Sequence, residues 1–135
     1  MKIYSKIEQG KLLHIVYNHD EFMGERIDII HPDQFIQCAA IKMDAGKTFK
    51  PHKHIDRYRY GIMYRPQESW VVISGKVKVT FYDIDDTILH EVILNPGDVS
   101  VTLQGAHNYI FLEPSKVYEF KTGPYLGQEN DKVFI

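Results

Sequence analysis

The 135-residue chain suits one domain with one core, and its 44% hydrophobic and 25% charged residues are those of an ordinary globular protein. Sixteen Lys+Arg against 18 Asp+Glu leave a formal charge of -2, which gives no ground for nucleic acid or an anionic membrane as a partner. Cys38 is the only cysteine, so an intrachain disulfide and a CxxC zinc or redox motif are excluded.

The N-terminal MKIYSKIEQGKLLHIVY alternates apolar and polar residues and has no unbroken apolar stretch of the kind a signal peptide needs. No apolar run approaches the ~18 residues of a membrane span. A cytoplasmic protein is expected. HPDQFIQ follows, where Pro32 to Gln37 read as one helical turn with Pro32 at its first position. CAAIKM is a strand candidate, with Cys38 as a core residue rather than a nucleophile. Beyond it, ESWVVI, KVKVTFYD, TILHEVIL, DVSVTL, NYIFL and KVYEF are rich in Val, Ile, Tyr and Phe, and several alternate with period two. DAGK, SGK, DIDDT, NPGD and QGAH supply the Gly, Asp and Asn that chain reversals require. Turns recurring every ~8–12 residues point to a sandwich or barrel. Val77, Val79, Phe81, Val99 and Val101 are the expected inward face. No repeat, linker or low-complexity tract divides residues 1–135, so a single domain is expected.

GKTFKPHKHIDRYR carries the chemistry. On a strand, His52 and His54 point to one face and can reach one object. Among seven histidines an i,i+2 pair arises readily by chance, and two surface histidines beside Lys50 and Lys53 would be an ordinary finding. The neighbourhood changes the weight. Glu68 opens an apolar strand and shares a face with Trp70 and Val72, where a buried carboxylate is costly unless paired or bound to a cation. His107 follows a glycine turn and heads an aromatic strand. Three imidazoles and one carboxylate suit one divalent transition metal per chain, whether Fe, Mn, Ni, Co or Zn, and do not suit Ca or Mg. His14, His19, His31 and His90 have no such company and read as surface or loop residues.

These residues resemble the two motifs of the cupin superfamily. Gly46, five residues, His52 and His54, then Glu68, six residues, and Gly75 match the two ends of the first motif. Gly97, Gly105 and His107 follow the second, with Leu103 in the place of its proline and Phe111 where Asn is usual. The likeness spans residues 46–111. Thirteen residues, Ile55 to Gln67, separate His54 from Glu68 where the family has three or four. The resemblance implies an all-β, double-sheet antiparallel jelly-roll barrel, with His52, His54, Glu68 and His107 as metal ligands. It also implies a small-molecule ligand in the barrel mouth and a homodimer.

The insertion interleaves Tyr58, Tyr60 and Tyr64 with Arg57, Arg59 and Arg65. Arg offers forked donors to carboxylate or phosphate, and Tyr a stacking face with a polar tip. Arg57, Arg59, Tyr60, Tyr64 and Arg65 are therefore candidates for gripping a substrate, against the plainer reading of a solvated hairpin or dimer contact. The resemblance allows a metal-dependent enzyme acting on a small polar, anionic or sugar-derived substrate, by isomerisation, epimerisation or oxygenation. It equally allows a non-catalytic, metal-dependent sensor or sugar-binding module, because fold does not fix function.

Overall fold

In chain order the strands are β1 (Lys2–Tyr4), β2 (Leu12–Ile15), β3 (Arg26–Asp28), β4 (Ile36–Met43), β5 (His52–His54), β6 (Arg57–Arg59), β7 (Ile62–Tyr64), β8 (Glu68–Ser74), β9 (Val77–Tyr82), β10 (Ile88–Leu94), β11 (Val99–Thr102), β12 (His107–Phe111), β13 (Ser115–Thr122) and β14 (Lys132–Phe134). The computed structural model describes every residue except Tyr60. Five strands form one antiparallel sheet in the order β10-β9-β12-β5-β14, and five form a second in the order β11-β8-β13-β4-β3. Among the described residues the only helical pieces are two 3-10 turns, His19–Glu21 and Gln128–Asn130, and no helix is long and apolar enough to cross a membrane.

The sheets face each other, and the alternation seen in the sequence decides what lies between them. Val77 and Val79 of β9 and Tyr109 and Phe111 of β12 meet Ile41, Trp70, Val72 and Val117 of the other sheet, all at most 2% exposed. Full burial of each aliphatic side chain contributes roughly 1.5–3 kcal/mol. Trp70 and Tyr109 lie flat on one another, ring centres 3.9 Å apart. Phe81 packs against this core but stays half-buried.

Two expectations need correction. Val99 and Val101 face outward, 56% and 54% exposed, and their neighbours Ser100 and Thr102 are the inward pair. β11 pairs with β8 so that Ser100 stands opposite Trp70. There its hydroxyl lies 3.0 Å from the Tyr109 hydroxyl. A one-residue change of phase moves every side chain of a strand to its other face, and the Tyr109 hydroxyl gives the polar set its reason to be inside. The second correction is Pro32 to Gln37, which makes no helical turn. Pro32 and Asp33 form a tight turn and β4 already starts at Ile36. The Gln37 amide closes that turn by donating to the carbonyls of His31 and Gln34, while Ile36 and Gln37 pair with Thr122 and Lys121. One isolated turn of helix has no comparable support.

The insertion after β5 folds as its own two-stranded hairpin, β6 with β7. It carries exposed Tyr58, Ile62 and Met63 on the outside, whereas Arg57 is buried.

Candidate metal centre

β5 is only three residues long, yet it sits between β12 and β14, so its alternation is fixed from both sides. His52 and His54 turn inward, 4% and 8% exposed, while Lys53 between them turns away to an ion pair with Asp86 at 2.7 Å. Glu68, at the first position of β8, is 4% exposed and is held by Trp70 two residues on, whose Nε1–H donates to Oε1 at 2.9 Å. His107 opens β12 directly opposite His52 and is fully buried. The preceding turn depends on Gly105, at φ +86, where a Cβ would come within 2.6 Å of the Tyr82 carbonyl oxygen.

One nitrogen or oxygen from each of His52, His54, Glu68 and His107 lies within 4.8 Å of all the others, and all four residues are buried. The Glu68 carboxylate bridges two of the rings, with Oε2 3.1 Å from His54 Nε2 and Oε1 3.1 Å from His107 Nε2. The fourth residue supplies the sharpest indication. His52 Nδ1 lies 2.9 Å from the Lys50 carbonyl oxygen, which can only accept, so Nδ1 carries the proton. Nε2 is therefore a lone-pair acceptor, and it is buried without a partner. Buried polar atoms are rarely left so. An imidazole whose far nitrogen donates to a carbonyl is set up as a metal ligand. The three-nitrogen, one-oxygen donor set fits a divalent transition metal.

The protonation states follow from the surroundings. Burial, reinforced by His107 and Lys132, pushes His52 down to about 4, so its ring is neutral at pH 7. Burial also disfavours a charged His54, but Asp131 and Glu68 overcome it and raise the ring to about 9. Burial alone would raise the Glu68 carboxyl, yet the hydrogen bonds of His107 and His54 hold it well below the usual carboxylate range. A cation entering the group would displace the His54 proton rather than compete with water.

Asp131 completes the arrangement and was not visible in the sequence. It is 1% exposed, lies 3.6 Å from His54 Nδ1, pairs with the buried Arg57 guanidinium, and is 3.4 Å from Lys121 Nζ. Nothing local marks Asp131 in QENDKVF. It arrives because β14 adds to β5 and sets the preceding residue behind His54.

A cavity of about 370 Å³ opens onto His52 and Glu68. Trp70 and Tyr109 line its floor, and Arg26, Glu119, Lys121 and Lys132 line its polar side. The strand register shows why. Glu119 is the cross-strand partner of Trp70, Lys121 that of Glu68, and Lys132 that of His54, so each shares its partner's inward face. The insertion is elsewhere. Arg57 is committed to Asp131, Arg65 donates to Asp56 at 2.6 and 2.7 Å, and the Tyr64 hydroxyl is 3.4 Å from the Gly123 carbonyl. Arg57, Arg59, Tyr64 and Arg65 do not line this cavity, and Tyr60 lies outside the described residues. His14, His19, His31 and His90 are exposed, as expected. Cys38 is half-buried rather than in the core, and burial pushes its thiol up to about 11, away from a nucleophilic thiolate.

The sequence matches no protein-family profile and no curated protein. Solved structures do resemble it. KdgF from Halomonas sp. is 25% identical over 72% of this chain and 77% of its own, with a TM-score of 0.55. A protein with a double-stranded β-helix domain from Klebsiella pneumoniae is 17% identical over 83% and 92%, with a TM-score of 0.60. The capsular polysaccharide assembling protein CapF from Staphylococcus aureus is 18% identical over 97% of this chain, with a TM-score of 0.66, and this chain spans 36% of it. With two facing antiparallel sheets of this order and a His/Glu group on their inner wall, the chain has the double-stranded β-helix fold of cupins.

Proposed function

We propose that His52, His54, Glu68 and His107 hold one divalent transition metal, and that the chain is a metal-dependent enzyme converting a small, sugar-derived molecule in the adjoining cavity. The observation that carries this is the unpartnered, buried Nε2 of His52, in a group whose other three members lie within 4.8 Å. A bound metal would polarise an oxygen of the ligand. The rest falls to the chain's own side chains. Arg26 donates to both Glu119 oxygens, at 3.3 and 2.8 Å, and holds that side chain toward the cavity. Glu119 is the group placed to take a proton from a bound ligand, and Trp70 and Tyr109 give the ligand an apolar floor. Proton transfer of this kind supports isomerisation or epimerisation rather than oxygenation. A sugar-derived substrate is favoured by the likeness to a capsular polysaccharide assembling protein.

Metal content per chain, measured by mass spectrometry on wild type and on His52→Ala, His54→Ala, Glu68→Gln and His107→Ala, tests the centre. Near-stoichiometric metal in wild type and its loss in each variant is the expected result; equal content in all five sinks it. The reaction class is tested by offering a panel of aldoses, ketoses and sugar acids in D2O. Deuterium at the carbon beside the carbonyl supports proton transfer, whereas oxygen uptake without it assigns oxygenation.

A further inference from the structure

The charges around the cavity do not all have partners. Arg26 is tied to Glu119 and Asp28, and Lys121 lies 3.4 Å from Asp131 and over the Tyr125 ring. Lys132 has no carboxylate within ion-pair distance among the described residues, although its register with His54 turns it to the inner face. Next to the main cavity a second hollow is lined by His52, Lys132, Gln128, Thr48 and Lys50. Lys50 also lacks a carboxylate partner among the described residues; its Nζ lies 5.8 Å from the centre of the Phe134 ring. So two lysines without counter-charges share this hollow with His52, whose buried Nε2 has no hydrogen-bond partner.

Three basic residues, Arg26, Lys121 and Lys132, and three acidic ones, Asp28, Glu68 and Glu119, line the main cavity. That balance is struck before a divalent cation is added. With the cation in place the cavity has a positive excess, and a neutral ligand leaves it uncompensated in a partly desolvated space where charge is costly.

We infer that Lys132, backed by Lys50, forms an anion subsite beside His52, so the ligand is a small hydroxylated acid rather than a neutral sugar. Its charged group faces Lys132. Gln128 and Thr48 in the same hollow offer hydrogen bonds to hydroxyls, and the remainder reaches the metal ligands. The shared chemistry is an oxyanion on a polyol, either a carboxylate or a phosphate monoester. The inference rests on the ligand-binding reading of the cavity, not on the reaction class.

The test is calorimetric titration of the purified protein with D-gluconate, D-glucose 6-phosphate and D-sorbitol, with metal content measured on the same samples. Gluconate and sorbitol have the same carbon skeleton and differ in one carboxylate. At least one anion should bind about tenfold or more tightly than sorbitol, the scale of a charged hydrogen bond, and the tighter of the two names the oxyanion. Lys132→Gln should remove that preference and Lys132→Arg should keep it. Lys53→Gln, on the outer face, should change nothing. Metal content should be the same in all four proteins. Sorbitol binding as tightly as both anions, no binding of either anion at millimolar concentration, or an unchanged preference in Lys132→Gln would each overturn the subsite. Wild type without metal would instead overturn the metal centre, and the anion contrast would still be read on that protein.

Discussion

Asp131 stands behind His54, its Oδ2 3.6 Å from the Nδ1 that faces away from Glu68, with Arg57 and Lys121 on its other side. The distance is that of an ion pair rather than a hydrogen bond. A carboxylate behind a ligating histidine fixes which nitrogen faces the metal, and removing it commonly lowers metal affinity 10–100-fold. Asp131→Asn keeps the shape and loses the charge. Its metal affinity, measured by chelator competition, is expected to fall about tenfold or more. It should also unfold at lower denaturant, by about 3 kcal/mol or more, because Arg57 is left buried and unpaired. A loss of stability without any change in metal affinity would make Asp131 a purely structural residue.

The same residue sets an acid limit. Burial would raise the Asp131 carboxyl, but His54, Lys121 and Arg57 outweigh it and lower it to about 2 from an ordinary 3.8. A depressed folded-state value stabilises the fold fully above the unfolded-state value, and the contribution disappears as pH falls through the folded one. Asp131 thus contributes about 2 kcal/mol above pH 4–5, lost between about pH 4 and pH 2. Urea unfolding across that interval should show a smaller acid loss in Asp131→Asn than in wild type. Parallel curves for the two proteins would refute the assignment.

The four converging residues could be read from the sequence because strand periodicity and the likeness to cupin motifs point to the same positions. His52 and His54 share a face by spacing alone, and Glu68 is inward whenever Trp70 is. What could not be read was decided by pairing between distant segments. Asp131 and Lys132 enter through β14 adding to β5, about 80 residues away in sequence. Nor does local sequence show that Arg57 of the insertion has a buried carboxylate waiting for it. For β11 the alternation was visible but its phase was not, since hydropathy favours Val99 and Val101 as the inward pair and only the placement of Tyr109 gives the buried Ser100 its partner.

That phase can be tested by substitution. Val99→Thr changes an exposed side chain and is expected to alter stability by no more than about 0.5 kcal/mol. Ser100→Ala is smaller chemically but leaves the buried Tyr109 hydroxyl without its 3.0 Å partner, at a cost of about 1–3 kcal/mol. Chemical denaturation of both variants checks the order. A larger effect at Val99 than at Ser100 would contradict the register of β11 on β8.

Trp70 has two roles that one substitution can separate. Its ring stacks on Tyr109 at 3.9 Å, and its Nε1–H donates to Glu68 Oε1 at 2.9 Å. Trp70→Phe keeps an aromatic ring on Tyr109 and removes the donor. Glu68 then relies on His54 and His107 alone in a buried setting. Loss of a hydrogen bond to a charged group costs about 1.5–3 kcal/mol, and the smaller ring adds a packing loss of order 1 kcal/mol. A bound metal would take over the charge that Trp70 helps to compensate. The destabilisation of Trp70→Phe should therefore be larger in protein stripped with EDTA than in metal-loaded protein, by at least about 1 kcal/mol. Denaturant titrations of both proteins in both states measure it. Equal destabilisation with and without metal would mean that Trp70 acts on the core only, and that its donor has no part in holding Glu68 for a cation.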